Sequence, residues 1–426
     1  MRKWIVAALL LVLSLAISQI FAGGHRAPVN VTQRTLTLYI DGKPIGNTNS
    51  SQPSAITYQG TVYVPLSLVG QKLNKPVGID PTTSTVWLGE RPAKPAAVPA
   101  MAPLQAEPAK TSKPAKQTAA PAPKTDEPSL YGISLGMGQQ EVLTALGAPA
   151  RKEPAQLGYE WWIYNRDLSR YLQIGIMDGK VVDLYSNAST AQIEGVGIGT
   201  TYQSLSRKYS IQPIVSFSFQ QANVQITNQP KDRPLVISQG TPIIFYLDKQ
   251  NNANVTALRL IDRLALLRGG FFETKWTYQG TAPNFDPPRL SIKQQEYVNS
   301  AHERQILDLT NVIRYRNKLP ALTALDTAAN VARLHSKDME MNQYFDHVST
   351  ITGLDPFERL KQAGVTYKMA GENIAAGFPD AIEAYENWMN SPGHRKNILE
   401  KGFRQLGVGV YLDYYTQDFV TTTATR

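Results

Sequence analysis

The sequence predicts an α+β multidomain protein: a small β-rich module near the N-terminus, a β-rich duplicated α+β domain in the middle, and a mixed helix and strand domain at the C-terminus. Three observations carry this prediction. A Pro/Ala/Lys-rich stretch at 91–128 divides the chain, strand-like runs alternate around turn residues on both sides of it, and residues 296–426 mix amphipathic helices with alternating strands. At 426 residues the chain also exceeds what one hydrophobic core supports.

Arg2 and Lys3 form a short positive region, and Trp4 to Ala22 follow as an apolar run interrupted only by Ser14, Ser18 and Gln19. This is the grammar of an export signal. The run is also close to the roughly 20 apolar residues that span a bilayer, so residues 1–22 are either a signal peptide or an N-terminal membrane anchor through 4–22. Ala22 offers a cleavage point, although Ile20 is larger than the small residue preferred there. The protein is expected to be secreted or held at the cell surface. An exported chain with no cysteine has neither disulfides nor a thiolate metal site, so each domain depends on its apolar core. The formal charge of +9 would suit nucleic acid, but an exported protein first meets anionic wall polymers and lipid head groups. The expected partner is a cell-wall or envelope polymer or another ligand, not nucleic acid.

In residues 35–90, Leu36, Leu38 and Ile40 alternate with polar residues before Asp41-Gly42. Val62-Tyr63-Val64 reads as a second strand, Leu66 to Leu73 as a short helix, and Val77 to Leu88 as a closing hairpin. The runs Tyr39-Ile40-Asp41-Gly42-Lys43, Gly60-Thr61-Val62-Tyr63-Val64-Pro65-Leu66 and Gly78-Ile79-Asp80 resemble the copper amine oxidase N-terminal-like domain, which implies a stalk or accessory module. This segment holds no His, Cys or Met, so copper coordination has no support in it. The stretch 91–128, with Lys94, Lys110, Lys113, Lys116 and Lys124 spaced among prolines, cannot bury enough surface to offset its ordering entropy and reads as a disordered spacer.

Residues 131–270 read as two copies of one unit. Tyr131-Gly132-Ile133-Ser134-Leu135-Gly136-Met137 is echoed by Glu194-Gly195-Val196-Gly197-Ile198-Gly199-Thr200, each before a short helix. Tyr171 to Met177, the turn Asp178-Gly179 and Lys180 to Tyr185 form a hairpin, because Asp-Gly supplies the positive φ of a two-residue type I′ turn. Ile243 to Leu247 and Val255 to Ile261 are its counterpart around Asn251-Asn252. Trp161-Trp162 could mark a binding face, but adjacent strand residues point to opposite sides, so at least one should pack inside. With Gly158-Tyr159-Glu160-Trp161-Trp162-Ile163-Tyr164 and Gly179-Lys180-Val181-Val182, this segment resembles the CAP-associated N-terminal domain of bacteria. It carries no triad, metal cluster or phosphate loop, so catalysis is not expected there.

In the C-terminal segment, Ile306, Leu309 and Ile313 mark an amphipathic helix ending near Lys318, Leu319 and Pro320. Asp326 should cap a second helix whose apolar stripe of Ala328, Val331, Ala332 and Met339 includes His335. Asp355-Pro356-Phe357-Glu358 has an N-cap, a first-turn proline and a capping-box glutamate, with Gly364 closing the helix. A further helix runs from Asp380 through Trp388, and Gly407 to Tyr411 and Asp418 to Thr422 can pair as a hairpin.

Polar residues of useful chemistry stand at three separated places: His347 in Tyr344-Phe345-Asp346-His347, Glu372 in Ala370-Gly371-Glu372-Asn373-Ile374, and His394 in Gly393-His394-Arg395-Lys396-Asn397-Ile398-Leu399. Two imidazoles and a carboxylate suffice to hold a divalent ion, or to pair a general base with its orienting group. These pieces, together with Ala332-Arg333-Leu334-His335-Ser336-Lys337-Asp338-Met339, Trp388-Met389-Asn390-Ser391-Pro392 and Gly407-Val408-Gly409-Val410, are similar to the bacterial CAP superfamily of cysteine-rich secretory, antigen 5 and pathogenesis-related proteins.

The resemblance implies an α-β-α sandwich over residues 296–426, with a cleft lined by two His and two Glu that in some members bind a divalent cation such as zinc. His347, Glu372 and His394 match three of those positions, with Asn373 beside them as a ligand-binding residue. The fourth, a glutamate, falls on Ser391, and Glu386, five residues earlier, lies about 140° away around the helix. Followed by Pro392, Ser391 suits an N-cap better than a nucleophile. Metal binding by His347, His394 and Glu372 is thus expected to be weakened. The expectation is a cleft that binds a peptide, lipid, glycan or cation without catalysis. The alternative is a hydrolase, a peptidase, with Glu372, His347 and His394 as its catalytic candidates.

Overall fold

The computed structural model describes residues 38–40, 43–45, 56–58, 61–63, 75–80, 85–89 and 127–423. The export signal or anchor at 1–22, the short helix at 66–73 and nearly all of the spacer at 91–128 lie outside the described residues. The chain divides into two units, 1–116 and 117–426. In the first, three antiparallel pairs are described: Leu38–Ile40 with Lys43–Ile45, Ile56–Tyr58 with Thr61–Tyr63, and Val77–Asp80 with Thr85–Leu88. Among the described residues no helix is long and apolar enough to cross a membrane.

The second unit begins with the repeat. Its two short hairpins, Ser129–Leu130 with Ile133–Ser134 and Gln192–Ile193 with Val196–Gly197, turn at Tyr131-Gly132 and Glu194-Gly195. All four turn residues have positive φ, the conformation a type I′ turn demands. Each hairpin leads into a helix, α1 (Gln139–Leu146) or α2 (Tyr202–Lys208). The strands that follow build one seven-stranded antiparallel sheet: β1 (Arg151–Pro154), β2 (Glu160–Tyr164), β3 (Leu172–Met177), β4 (Lys180–Ser186), β5 (Leu235–Ser238), β6 (Thr241–Asp248) and β7 (Asn254–Ile261). Their order is β5-β6-β7-β4-β3-β2-β1, so the last strand of each repeat pairs with the other at the centre, Leu184 opposite Leu260. The β3–β4 turn has Asp178 and Gly179 at φ 50 and 74, as Asp-Gly requires. Trp161 and Trp162 are both buried, one in each of the two cores that flank the sheet, so neither forms a binding face.

After a short helix, α3 (Arg263–Arg268), the chain enters the C-terminal domain through α4 (Ile292–Arg316), which starts at a Ser291–Gln294 capping box. Next come β8 (Thr323–Ala324), α5 (Asp326–Met341), α6 (Pro356–Gln362), β9 (Tyr367–Ala376), α7 (Ala381–Asn390), α8 (Pro392–Leu399), β10 (Gln405–Tyr411) and β11 (Tyr414–Thr422). The sheet order is β8-β10-β11-β9, with β8 parallel to β10 and the rest antiparallel. Asp326 proves to be the first helical residue rather than the cap. The cap position is taken by Leu325, whose N–H is held by the Leu406 carbonyl as the chain leaves β8.

The layers follow from strand alternation. Leu406, Val408 and Val410 face the core that α4 and α7 cover, while Gly407 and Gly409 face α5. A Cβ on Gly409 would lie 1.9 Å from the backbone N of Arg333, and one on Gly407 2.3 Å from the Ala328 carbonyl carbon. Only glycine lets this helix backbone lie on the strand. The result is an α-β-α sandwich, and its α7 face shares a continuous core with one face of the seven-stranded sheet: Trp161, Tyr185 and Tyr246 pack with Tyr385 and Trp388.

Buried polar groups lock this junction. Arg259, fully buried, is paired with Asp183 at 2.7 Å and with Asp380 at 2.9 Å. Tyr246 donates to Glu383, which also pairs with Arg233, and Arg395 forks onto Asp248 at 3.0 Å through both nitrogens.

Candidate functional site

His347 lies in the loop between α5 and α6. Tyr344 and Ser349 both donate their hydroxyls to Asp338 on α5, and the Asp346 carbonyl meets His335 Nε2 at 3.0 Å. These ties fix the loop against the helix and leave the His347 ring half exposed between them. Glu372 is on β9, the edge strand of the sheet, directly opposite Asp418 on β11. Its neighbour Asn373 points to the other face, where its amide donates to the carbonyl of His394 at 3.1 Å and to Gln417 at 3.0 Å. Asn397, one turn along α8 from His394, donates to the Glu372 carbonyl and to Asn373 Oδ1. The asparagines therefore staple the start of α8 to the edge strand.

The centre of the site is the Glu372 carboxylate, whose side chain is 2 % exposed. Oε1 meets His347 Nδ1 at 2.7 Å, and Oε2 accepts from Arg359 Nη2 at 2.6 Å. Arg359, on α6, also donates through Nη1 to the carbonyls of His347 and Leu354. Asp418 is fully buried and lies against the Glu372 carboxylate. Burial, then the neighbouring charge of Glu372, hold its carboxyl well above the usual carboxylate range. Burial, reinforced by the charge of His347, pushes the His394 imidazole down. Burial also pushes His335 down, and its Nδ1 and that of His394 are buried without a partner.

The structure thus joins His347 to Glu372 directly and ties Asn373 to the backbone of His394. It keeps His335 in the α5 stripe, 1 % exposed. Glu386 is taken out of the site altogether, since it accepts from Tyr185 of the seven-stranded sheet. Ser391 joins α7 to α8 and makes no side-chain cap bond, so its role is that of a boundary residue before Pro392. No hydroxyl is hydrogen-bonded to either ring nitrogen of His347 among the described residues, whose one ring bond is to Glu372.

A divalent ion does not fit this donor set. Both Glu372 oxygens are committed, one of them to a guanidinium, and a cation placed there would face that positive charge at close range. Among the described residues no group of three or more His, Cys, Asp or Glu is arranged to hold a metal. The trio His347, Glu372 and His394 is not a ligand cage in this geometry.

Two residues of the site escaped sequence reasoning. Arg359 hides in the Asp355 helix, whose capping box draws attention instead of the base it places one residue on. Asp418 stands in the middle of β11, and a carboxylate followed directly by Phe419 and Val420 was the available signal.

Similarity to known proteins follows the same division. Residues 135–272 match the CAP-associated N-terminal family and residues 307–423 the cysteine-rich secretory protein family. The chain is 33 % identical over 289 residues to the membrane protein YlbC of Bacillus subtilis (strain 168), covering 67 % of this chain and 82 % of that one. YkwD of the same organism is 44 % identical over 124 residues, 28 % of this chain and 48 % of YkwD. The crystal structure of an extracellular protein containing an SCP domain from Bacillus anthracis superposes with a TM-score of 0.64 at 31 % identity, over 74 % of this chain and all of that one. A cysteine-rich secretory protein from Staphylococcus aureus, 21 % identical, shares the fold with a TM-score of 0.58 over 71 % of this chain and 97 % of its own.

Proposed function

Because this chain belongs to the cysteine-rich secretory protein family, with a CAP-associated domain ahead of the family domain, we propose that it is an exported envelope protein that binds a ligand in the cleft around His347 without transforming it. The observation that carries this reading is the state of Glu372. Both of its oxygens are already hydrogen-bonded, one to the His347 ring and one to the Arg359 guanidinium, so the carboxylate is engaged in holding these two groups in place. The loop beside it leaves Phe345, Val348 and Ile351 exposed, and Phe357 at the start of α6 adds to them. An apolar rim beside a half-exposed imidazole suits a ligand with both apolar and polar parts, such as an envelope lipid or glycopeptide. Export is supported by Arg2, Lys3 and the apolar run to Ala22, and by the extracellular description of the Bacillus anthracis protein.

Isothermal titration of the full chain with phosphatidylglycerol vesicles and with cell-wall glycopeptide fragments tests the proposal. Binding that disappears in His347→Ala, with the melting temperature unchanged, is the expected result. Silence with every probe, or identical binding by the variant, would remove the cleft as the ligand site.

One observation favours a second reading, a hydrolase. The 2.7 Å bond from Glu372 to His347 Nδ1 is the arrangement by which a carboxylate orients an imidazole base. Cleavage of glycopeptides by the wild type, abolished in Glu372→Gln at unchanged melting temperature, would select it.

A further inference from the structure

We infer that the Arg359 guanidinium is the resident cation of the cleft: it occupies the carboxylate that would otherwise be offered to a divalent ion, so this protein engages its ligand independently of metal. The inference concerns the electrostatics of the site and holds whether the cleft binds or cleaves.

Its basis is the way the chain delivers Arg359. The Asp355–Glu358 capping box and Pro356 fix where α6 begins, which sets the direction of the side chain leaving its first turn. Arg359 Nη1 then clasps the carbonyls of His347 and Leu354, at 2.8 and 2.9 Å. Nη2 meets Glu372 Oε2 at 2.6 Å, and the side chain is only 10 % exposed. The guanidinium is therefore built into the wall of the loop that carries His347 and is no mobile surface charge. Arginine stays protonated throughout the accessible pH range, so this positive charge is permanent.

The consequence for metal is physical. A divalent ion approaching Glu372 would have to displace either the His347 ring or the guanidinium, and would lie within a few ångströms of a like charge in a poorly solvated site. The position where the family resemblance expects a second glutamate holds Ser391, which adds no compensating negative charge. Asp418, although adjacent, is enclosed on β11 and cannot reach outward.

The test uses the full chain, purified in detergent without a histidine tag, and zinc chloride alone as the probe. Wild type should show no saturable zinc binding in the cleft and no change of melting temperature with zinc or with EDTA. Arg359→Ala should melt lower in buffer, having lost the bonds to the loop, and should gain a zinc-dependent rise that a second substitution, His347→Ala, removes. Arg359→Lys, which loses the fork but keeps the charge, should remain zinc-silent. One zinc per wild-type chain, lost in His347→Ala, would overturn the inference. So would a folded Arg359→Ala protein that gains no zinc site. If Arg359→Ala does not fold, the wild-type and Arg359→Lys titrations still decide, because zinc binding by either contradicts a resident cation.

Discussion

Tyr185 of the CAP-associated domain donates its phenolic hydrogen to Glu386 of the family domain at 2.5 Å, across 201 residues of sequence and inside a core that both domains share. Burial pushes the Glu386 carboxyl up to about 7 from its ordinary 4.5. The folded state thus holds this proton more tightly than the unfolded chain. The associated stability is fully present below pH 4.5 and is lost as pH rises through about 7, an effect on the order of 3 kcal/mol. Thermal melts from pH 4.5 to 8 should show this decline in wild type, and Glu386→Gln should flatten it.

His302 should act in the opposite sense. Its ring is buried and stacked on Tyr415, and burial pushes it down to about 4. Its contribution is complete above pH 6.5 and is lost as pH falls through about 4. Among the five histidines, the His302 NMR resonances should still be those of a neutral ring at pH 5. A fully titrating set with ordinary midpoints would contradict this.

Replacing Arg259 by Met should destabilise the junction by about 3–5 kcal/mol at neutral pH, because Asp183 and Asp380 would be left without their buried cation. Burial pushes Asp183 up to about 6, so the loss should shrink when urea melts are repeated at pH 5, where that carboxyl can take a proton.

Gly409→Ala should cost at least about 1–3 kcal/mol, since the added methyl meets the backbone of α5 rather than a movable side chain. Gly393→Ala, with open space around its Cβ position, is the matched control in the same melts.

Asn373→Ala should cost about 1–3 kcal/mol by leaving the Gln417 and Asn397 side chains without a shared partner. Because Asn373 also holds the His394 carbonyl, the His394 ring resonance should move and broaden while that of His302 stays in place.

Much of the fold was legible because the signals are local. The Asp178-Gly179 turn and the Asp355–Glu358 capping box depend on neighbouring residues and are found where the sequence places them, while the β10–β11 hairpin forms with its second strand starting at Tyr414, four residues before the expected Asp418. The helix cap falls at Leu325, one residue before Asp326, because a sheet hydrogen bond to Leu406 fixes the chain there. Trp161 and Trp162 were half legible: alternation requires one to point inward, and only the covering of both sheet faces buries the second.

The duplicated unit and the amphipathic helices of the C-terminal domain follow from local periodicity and short motifs. His347, Glu372 and His394 stand out through the family resemblance, and no local signal announces the strand Tyr367–Ala376 that carries Glu372. What Glu372 pairs with is set by tertiary packing. Arg359 reaches it from α6, Asp418 faces it from the neighbouring strand, and Glu386 is drawn away to Tyr185. Whether a carboxylate is free to take a metal or a proton depends on neighbours distant in sequence and on burial, and spacing along a chain records neither.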